Sequence, residues 1–118
     1  NLADVLLCPF KDFREGSTIV PSKVIEYFAV AKPVICSARG ETEQVITSSG
    51  SGIVVPPSDP QALAEAVVKV YSDRRLSRRM GENARKLAET CFSLGNIGSK
   101  IEKLYERNRQ TVARTVIT

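Results

Sequence analysis

Residues 21–37 read PSKVIEYFAVAKPVICS, and two periodicities follow one another inside them. From Ser22 onward Val24, Ile25, Phe28 and Ala29 recur at helical spacing, with Pro21-Ser22 as the opening and Pro33 as the stop. Pro33 to Ser37, PVICS, is then an unbroken apolar run, which is how a strand buried on both faces of a parallel sheet looks. Two runs of the same kind flank it, ADVLLCP from Ala3 to Pro9 and GIVVP from Gly52 to Pro56. The pattern predicts three strands with a helix between the first two.

The outer segments keep helical spacing. A short helix is expected over Glu41 to Thr47, ending before the Ser-Gly cluster that leads to Gly52. Ser58-Asp59-Pro60 announces another, with Asp59 capping free N–H groups and Pro60 at the first helical position, where its missing donor costs nothing. Its stripe is Leu63, Val67, Val70 and Tyr71. A helix near Arg74 to Glu89 repeats the stripe as Met80, Ala84, Leu87 and Ala88, and one near Leu94 to Gln110 repeats it as Ile97, Ile101, Leu104 and Tyr105. All three are expected to lie on a core. Thr111 to Thr118 has no strong stripe and is expected to be a tail to a unit over residues 1–110.

Alternation of strand and helix implies an α/β fold, a partial Rossmann-like parallel sheet of about three strands with flanking helices. Three strands are few for a doubly wound unit. The remainder is expected upstream of Asn1 or in a partner chain, in keeping with a start at Asn rather than Met and no leader-like segment.

At 118 residues, with 42% apolar and 25% charged residues, the composition is that of one soluble globular unit. No apolar run reaches the roughly 20 residues that span a bilayer. Cys8, Cys36 and Cys91 are odd in number and widely spaced, and the chain has no His. That argues against a disulfide framework or a zinc site and for a reducing, cytoplasmic setting, with Cys8 and Cys36 as small buried hydrophobes. Any catalysis must use carboxylates, Lys or substrate groups. Much of the net charge of +4 comes from Arg74, Arg75, Arg78, Arg79, Arg85 and Lys86, opposed in that stretch only by Glu82. Such a stretch is either a solvated helix face or a surface for phosphates or an anionic membrane. Without interleaved aromatics it does not suit single-stranded nucleic acid, and no nucleic-acid partner is expected.

Chemistry points to KDFREGSTIVPS, residues 11–22, between the first strand and the first helix. Ligands of open parallel sheets bind beyond the carboxyl ends of the strands, and a helix N-terminus presents unpaired N–H groups to a phosphate. Gly16 permits close backbone approach, Ser17, Thr18 and Ser22 supply hydroxyls, and Lys23 adds a charge in the first turn. One turn on, Glu26 is placed to accept bonds from paired sugar hydroxyls. The bland alternatives are a turn glycine, a simple cap and exposed helix residues.

PSKVIEYFAVAKPVI, then Gly40 and Glu43 in RGETEQVI, then SGSGIVVPPSDPQALAEAV and FSLGNIGSKIEKLYE, together resemble the C-terminal, nucleotide-sugar-binding domain of family 4 (group 1) glycosyltransferases of the GT-B fold. The resemblance runs from about Ala3 to Arg107, in order. The Pro21-Ser22-Lys23 start is similar to bacterial transferases that add amino sugars such as N-acetylfucosamine to surface polysaccharide, including lipopolysaccharide.

The resemblance implies retaining transfer from a nucleotide-diphosphate sugar to a lipid-linked or polysaccharide acceptor, without a metal or other cofactor, in the cytoplasm; the basic charge of Arg74 to Lys86 adds the expectation of a peripheral contact with the inner face of the membrane. The acceptor-binding N-terminal domain and the usual basic diphosphate ligands are expected upstream of Asn1, so that this piece alone is inactive. In the family's Glu-x7-Glu motif Glu26 matches the second Glu, the ribose ligand. Thr18 stands where the first Glu belongs, and Glu15 is the candidate to replace it as the catalytic carboxylate. The intervening backbone over Gly16, Ser17, Thr18, Ile19 and Val20, with Ser22 and Lys23, is implied as the donor-binding cradle. Ala31 replaces a usual glycine. Glu43 matches a position of structural or nucleotide-contacting type, and a plain first-turn helix Glu remains open for it.

Two other readings belong beside this one. The Thr18 departure suits a glycosyltransferase-like module that binds without catalysing. A small doubly wound signalling domain would need an acidic cluster at the strand ends, where only Asp4 and Asp12 flank the first strand.

Overall fold

A computed structural model describes residues 2–10 and 20–117, with side chains as far as Thr111. The elements run β1 (Leu6–Pro9), α1 (Ser22–Ala29), β2 (Val34–Ser37), α2 (Glu41–Ser49), β3 (Gly52–Val55), α3 (Pro60–Ser72), α4 (Arg74–Cys91) and α5 (Leu94–Ile117). The strands are parallel and stand side by side in chain order, with Cys8 opposite Cys36 and Cys36 opposite Val54. The expected α/β architecture, a three-stranded parallel sheet flanked by helices, is what the chain forms.

β2 is central and every one of its residues is buried. Its side chains alternate between the two faces of the sheet. Val34 and Cys36 join Cys8, Val24, Phe28, Ile46 and Ala84 in one core cluster, whereas Ile35 joins Val55, Ala66, Val70 and Met80 in the other. Full burial of side chains such as Phe28 and Ile35 stabilises the fold by about 1.5–3 kcal/mol each. β1 departs from the both-faces expectation. Leu7 is 40% exposed, on a strand that has β2 as its one neighbour among the described residues.

Two close approaches fix glycine. A Cβ on Gly52 would stand 1.8 Å from the carbonyl oxygen of Val34, and one on Gly81 would stand 2.4 Å from that of Ala31. The first lets β3 draw against β2; the second lets α4 draw against the end of α1.

Asp59 caps α3 as expected, accepting from the Ala62 N–H at 2.9 Å, with Pro60 as the first helical residue. Asp73 separates α3 from α4 and does the same for Leu76 at 2.9 Å. α1 has no such cap: Pro21 holds the cap position and no side chain bonds there. At its other end Ala31 turns the chain with a φ of 60°, while Gly50 makes the matching turn after α2 with a φ of 65°. Glycine adopts that left-handed geometry freely, whereas alanine gives up about 1–2 kcal/mol. This is the physical reason for a glycine at the position of Ala31.

Three expectations need correction. Tyr71 is 83% exposed, and α3 buries Ala66 and Val70. The stripe of α5 does not lie on the core: Ile97, Ile101, Leu104 and Tyr105 are all exposed, by 40 to 68%. Apolar periodicity selects the face of a helix and not what covers it, and the sheet is already covered by α1, α2, α3 and α4. The helix also continues to Ile117, through the segment expected as a tail.

Cys8, Cys36 and Cys91 are free, the first two buried. Burial raises the pKa of the Cys8 thiol, against the nearby Lys23 charge. Burial, with Cys8 beside it, pushes Cys36 up to about 12. Thiols held protonated in this way behave as small hydrophobes, as expected.

Candidate functional site

Because the strands are parallel, the chain leaves all three at one edge of the sheet and enters α1, α2 and α3 there. Ser37, buried at the end of β2, binds the chain at its exit from β1: its hydroxyl accepts from the Phe10 N–H at 2.8 Å and donates to the Phe10 carbonyl oxygen at 3.0 Å. No local pattern could reveal this contact, since the partners are 27 residues apart.

The start of α1 gathers the described part of the predicted site. Ser22, Lys23 and Glu26 are exposed on its first turn and a half, and Val20 packs half-buried against the core cluster that contains Val24 and Phe28. The Lys23 ammonium stands 5.7 Å from the centre of the Tyr27 ring, a cation–π contact. Glu15, Gly16, Ser17, Thr18 and Ile19 lie outside the described residues.

Charge distinguishes the three helix starts. α2 carries Glu41 and Glu43 in its first turn, and α3 has Asp59 bonded onto its N–H groups. α1 has neither a first-turn acid nor a side-chain cap, and it has Lys23. A helix N-terminus carries roughly half a positive charge. At α1 no carboxylate of the described residues meets that charge, whereas at α3 one does.

Two open cavities lie along the same edge, and among the described residues none of Val20, Ser22, Lys23 and Glu26 lines either. One, of about 310 Å³, lies between Phe10, Ser37, Val55, Asp59 and Leu63. The other, of about 350 Å³, is lined by Arg39 and Glu43 with Val54 and Pro57. Glu43, singled out in the sequence, thus faces a cavity with Arg39, whereas Phe10, Ser37 and Arg39 went unmarked. Their signal was position alone, at the carboxyl ends of the strands.

α4 fixes α1 from behind. The Arg85 guanidinium donates to the Ala29 carbonyl oxygen at 2.7 Å and to Glu89 at 2.6 Å, and Phe28 stacks on Phe92 with ring centres 6.1 Å apart. Arg74, Arg75, Arg78, Arg79 and Lys86 are exposed along α4. No helix among the described residues is long and apolar enough to cross a membrane.

This arrangement has relatives. O-antigen chain mannosyltransferase C of Escherichia coli is 32% identical over 83 residues, 70% of this chain and 22% of that protein. Alpha-D-kanosaminyltransferase of Streptomyces kanamyceticus is 29% identical over 82 residues, 70% of this chain and 21% of its own length. The capsular polysaccharide biosynthesis glycosyltransferase CapM of Staphylococcus aureus is 31% identical over 96 residues, 81% of this chain and 24% of its own. The chain therefore spans about a fifth to a quarter of the length of these relatives. Among solved structures, sucrose-phosphate synthase from Thermosynechococcus elongatus superposes with a TM-score of 0.76 at 28% identity, over 92% of this chain and 26% of that one. That likeness supports the expected GT-B fold. The family described as glycosyl transferases group 1 matches residues 1–87, which hold the three described strands and α1, α2 and α3; the chain belongs to that family.

Proposed function

We propose that this chain supplies the donor side of a retaining glycosyltransferase of surface polysaccharide synthesis, as the C-terminal portion of its nucleotide-sugar-binding domain. The observation that carries the reading is the family match over β1, α1 and β2, with the first turn of α1 free of carboxylates. The donor diphosphate lies against the N–H groups that open α1, with the Ser22 hydroxyl and Lys23 beside it, and Glu26 accepts from the ribose hydroxyls one turn further on. As the glycosidic bond to the diphosphate breaks, negative charge builds on the leaving oxygens. A positive helix end and an ammonium stabilise that charge where it develops. Glu15 is the proposed carboxylate beside the donor sugar, and the backbone over residues 16–20 completes the cradle. The scheme uses no metal or other cofactor.

An amino sugar is the proposed donor group, on the strength of the Pro21-Ser22-Lys23 start, and a lipid-linked or polysaccharide acceptor completes the reaction. The proposed setting is the cytoplasm at the inner face of the membrane, with the basic stretch Arg74 to Lys86 toward the lipid. Thermal-shift screening against UDP, GDP, ADP and their sugars identifies the base. The role of Glu26 is tested by calorimetry in a polypeptide of its relatives' length that carries this chain. Glu26→Ala is expected to weaken donor binding by roughly 2 to 5 kcal/mol, the range for unpairing a hydrogen-bonded charge in a complex. Unchanged donor affinity would remove Glu26 from the ribose.

A further inference from the structure

Ala29 ends α1, and the residue four positions on, whose N–H would ordinarily bond its carbonyl oxygen, is Pro33. Proline has no N–H, so that bond cannot form within the chain's own helix. α1 also has no basic residue in its last turn. The same is true of α2, whereas α3 has Lys69 there. A helix C-terminus carries roughly half a negative charge, and neither α1 nor α2 meets it with a cation of its own last turn.

α4 supplies donors to both ends. Ala84 is fully buried in the core cluster that holds Phe28 of α1 and Ile46 of α2, and the residues on either side of it reach different helices. Asn83 donates its side-chain amide to the Gly50 carbonyl oxygen, at the end of α2, at 3.1 Å. Arg85 donates to the Ala29 carbonyl oxygen at 2.7 Å, while Glu89 holds the same guanidinium at 2.6 Å. The approach depends on Gly81, since a Cβ there would stand 2.4 Å from the Ala31 carbonyl oxygen. At its start α1 has no side-chain cap. An eight-residue helix is stiff and about 12 Å long, so a hold on its last carbonyl sets where its first turn stands.

We propose that Arg85 is a positioning residue for donor binding. Through the Ala29 carbonyl oxygen it fixes the placement of α1, and with it Ser22, Lys23 and Glu26 toward the other end of the helix. The proposal rests on the reading that the donor lies at the start of α1.

The test is calorimetry with UDP, GDP and ADP, in a polypeptide of the relatives' length that carries this chain. Arg85→Met keeps an unbranched apolar stem and removes the guanidinium. Affinity for the nucleotide that binds is expected to fall by about tenfold. Arg85→Lys should recover most of that loss, because an ammonium still donates to a carbonyl oxygen and still suits a helix C-terminus. Asp73→Ala separates placement from stability: it removes the carboxylate that caps α4 at Leu76 and leaves the hold on Ala29 intact. Its affinity is expected to match the wild type. Arg85 is 53% exposed, so Arg85→Met is expected to fold. If it unfolds, Glu89→Ala, which frees the guanidinium of its partner, takes its place and must lower affinity in the same direction.

Wild-type affinity in Arg85→Met overturns the proposal, and so does an equal loss in Asp73→Ala, which gives the effect to a general loosening of α4. If Glu26→Ala weakens nucleotide binding and Arg85→Met does not, the donor reading stands and the positioning role falls. A wild type that binds none of the three nucleotides overturns both.

Discussion

α1 and α3 both begin where a strand leaves the carboxyl edge of the sheet, and they begin in opposite ways. Asp59 folds its carboxylate onto the Ala62 N–H, so α3 satisfies its own first turn. α1 starts behind a proline with no acid in its first turn and with Lys23 exposed. The far ends differ likewise: the turn after α2 has Gly50 in the left-handed region, and the turn after α1 places Ala31 there. α1 is thus the less well terminated helix at both ends, although its inner face, Val24 and Phe28, is fully buried. A helix held by its side, with no described carboxylate at its start, is what the proposed anion site requires.

After Glu26→Ala, the largest effect that would break this contrast comes from Ser22→Asp, which gives α1 the kind of carboxylate α3 already has. Donor affinity by calorimetry is expected to fall by about tenfold, while α1 gains about 0.3–1 kcal/mol of stability from the charge at its positive end. The reciprocal change, Asp59→Ala, should cost about 1 kcal/mol in urea unfolding and leave donor affinity unaltered. A loss of affinity there would shift the site toward the cavity beside α3. The smallest effect sharpens the other end: Ala31→Gly is expected to stabilise by about 0.5–1 kcal/mol, the left-handed strain relieved less the added freedom of the unfolded chain. A fall in melting temperature would contradict the strain argument.

The elements that sequence exposes most clearly are those whose cause is local. The proline stop at Pro33, the Asp59-Pro60 opening and the three apolar runs each depend on neighbours a few residues away, and each stands where expected to within a few residues. What stayed hidden depends on distant partners. Ser37 binds Phe10 across the sheet, Gly81 matters only because Ala31 lies against it, and Leu7 is exposed on a strand with one described neighbour. The stripe of α5 was legible as a stripe, but periodicity carries no record of what it meets. For the site, Ser22, Lys23 and Glu26 do gather on the opening of α1, whereas the cavity pairing Arg39 with Glu43 emerges only from the meeting of β2, α2 and β3.

The most direct measurement is an amide chemical-shift titration with UDP, GDP and ADP, in a polypeptide of the relatives' length that carries this chain. The account predicts that the nucleotide that binds moves the N–H signals of Ser22, Lys23 and Val24 most and leaves those of Gln61 and Ala62 in place. Shifts concentrated at Gln61 and Ala62, with the start of α1 unmoved, would contradict it.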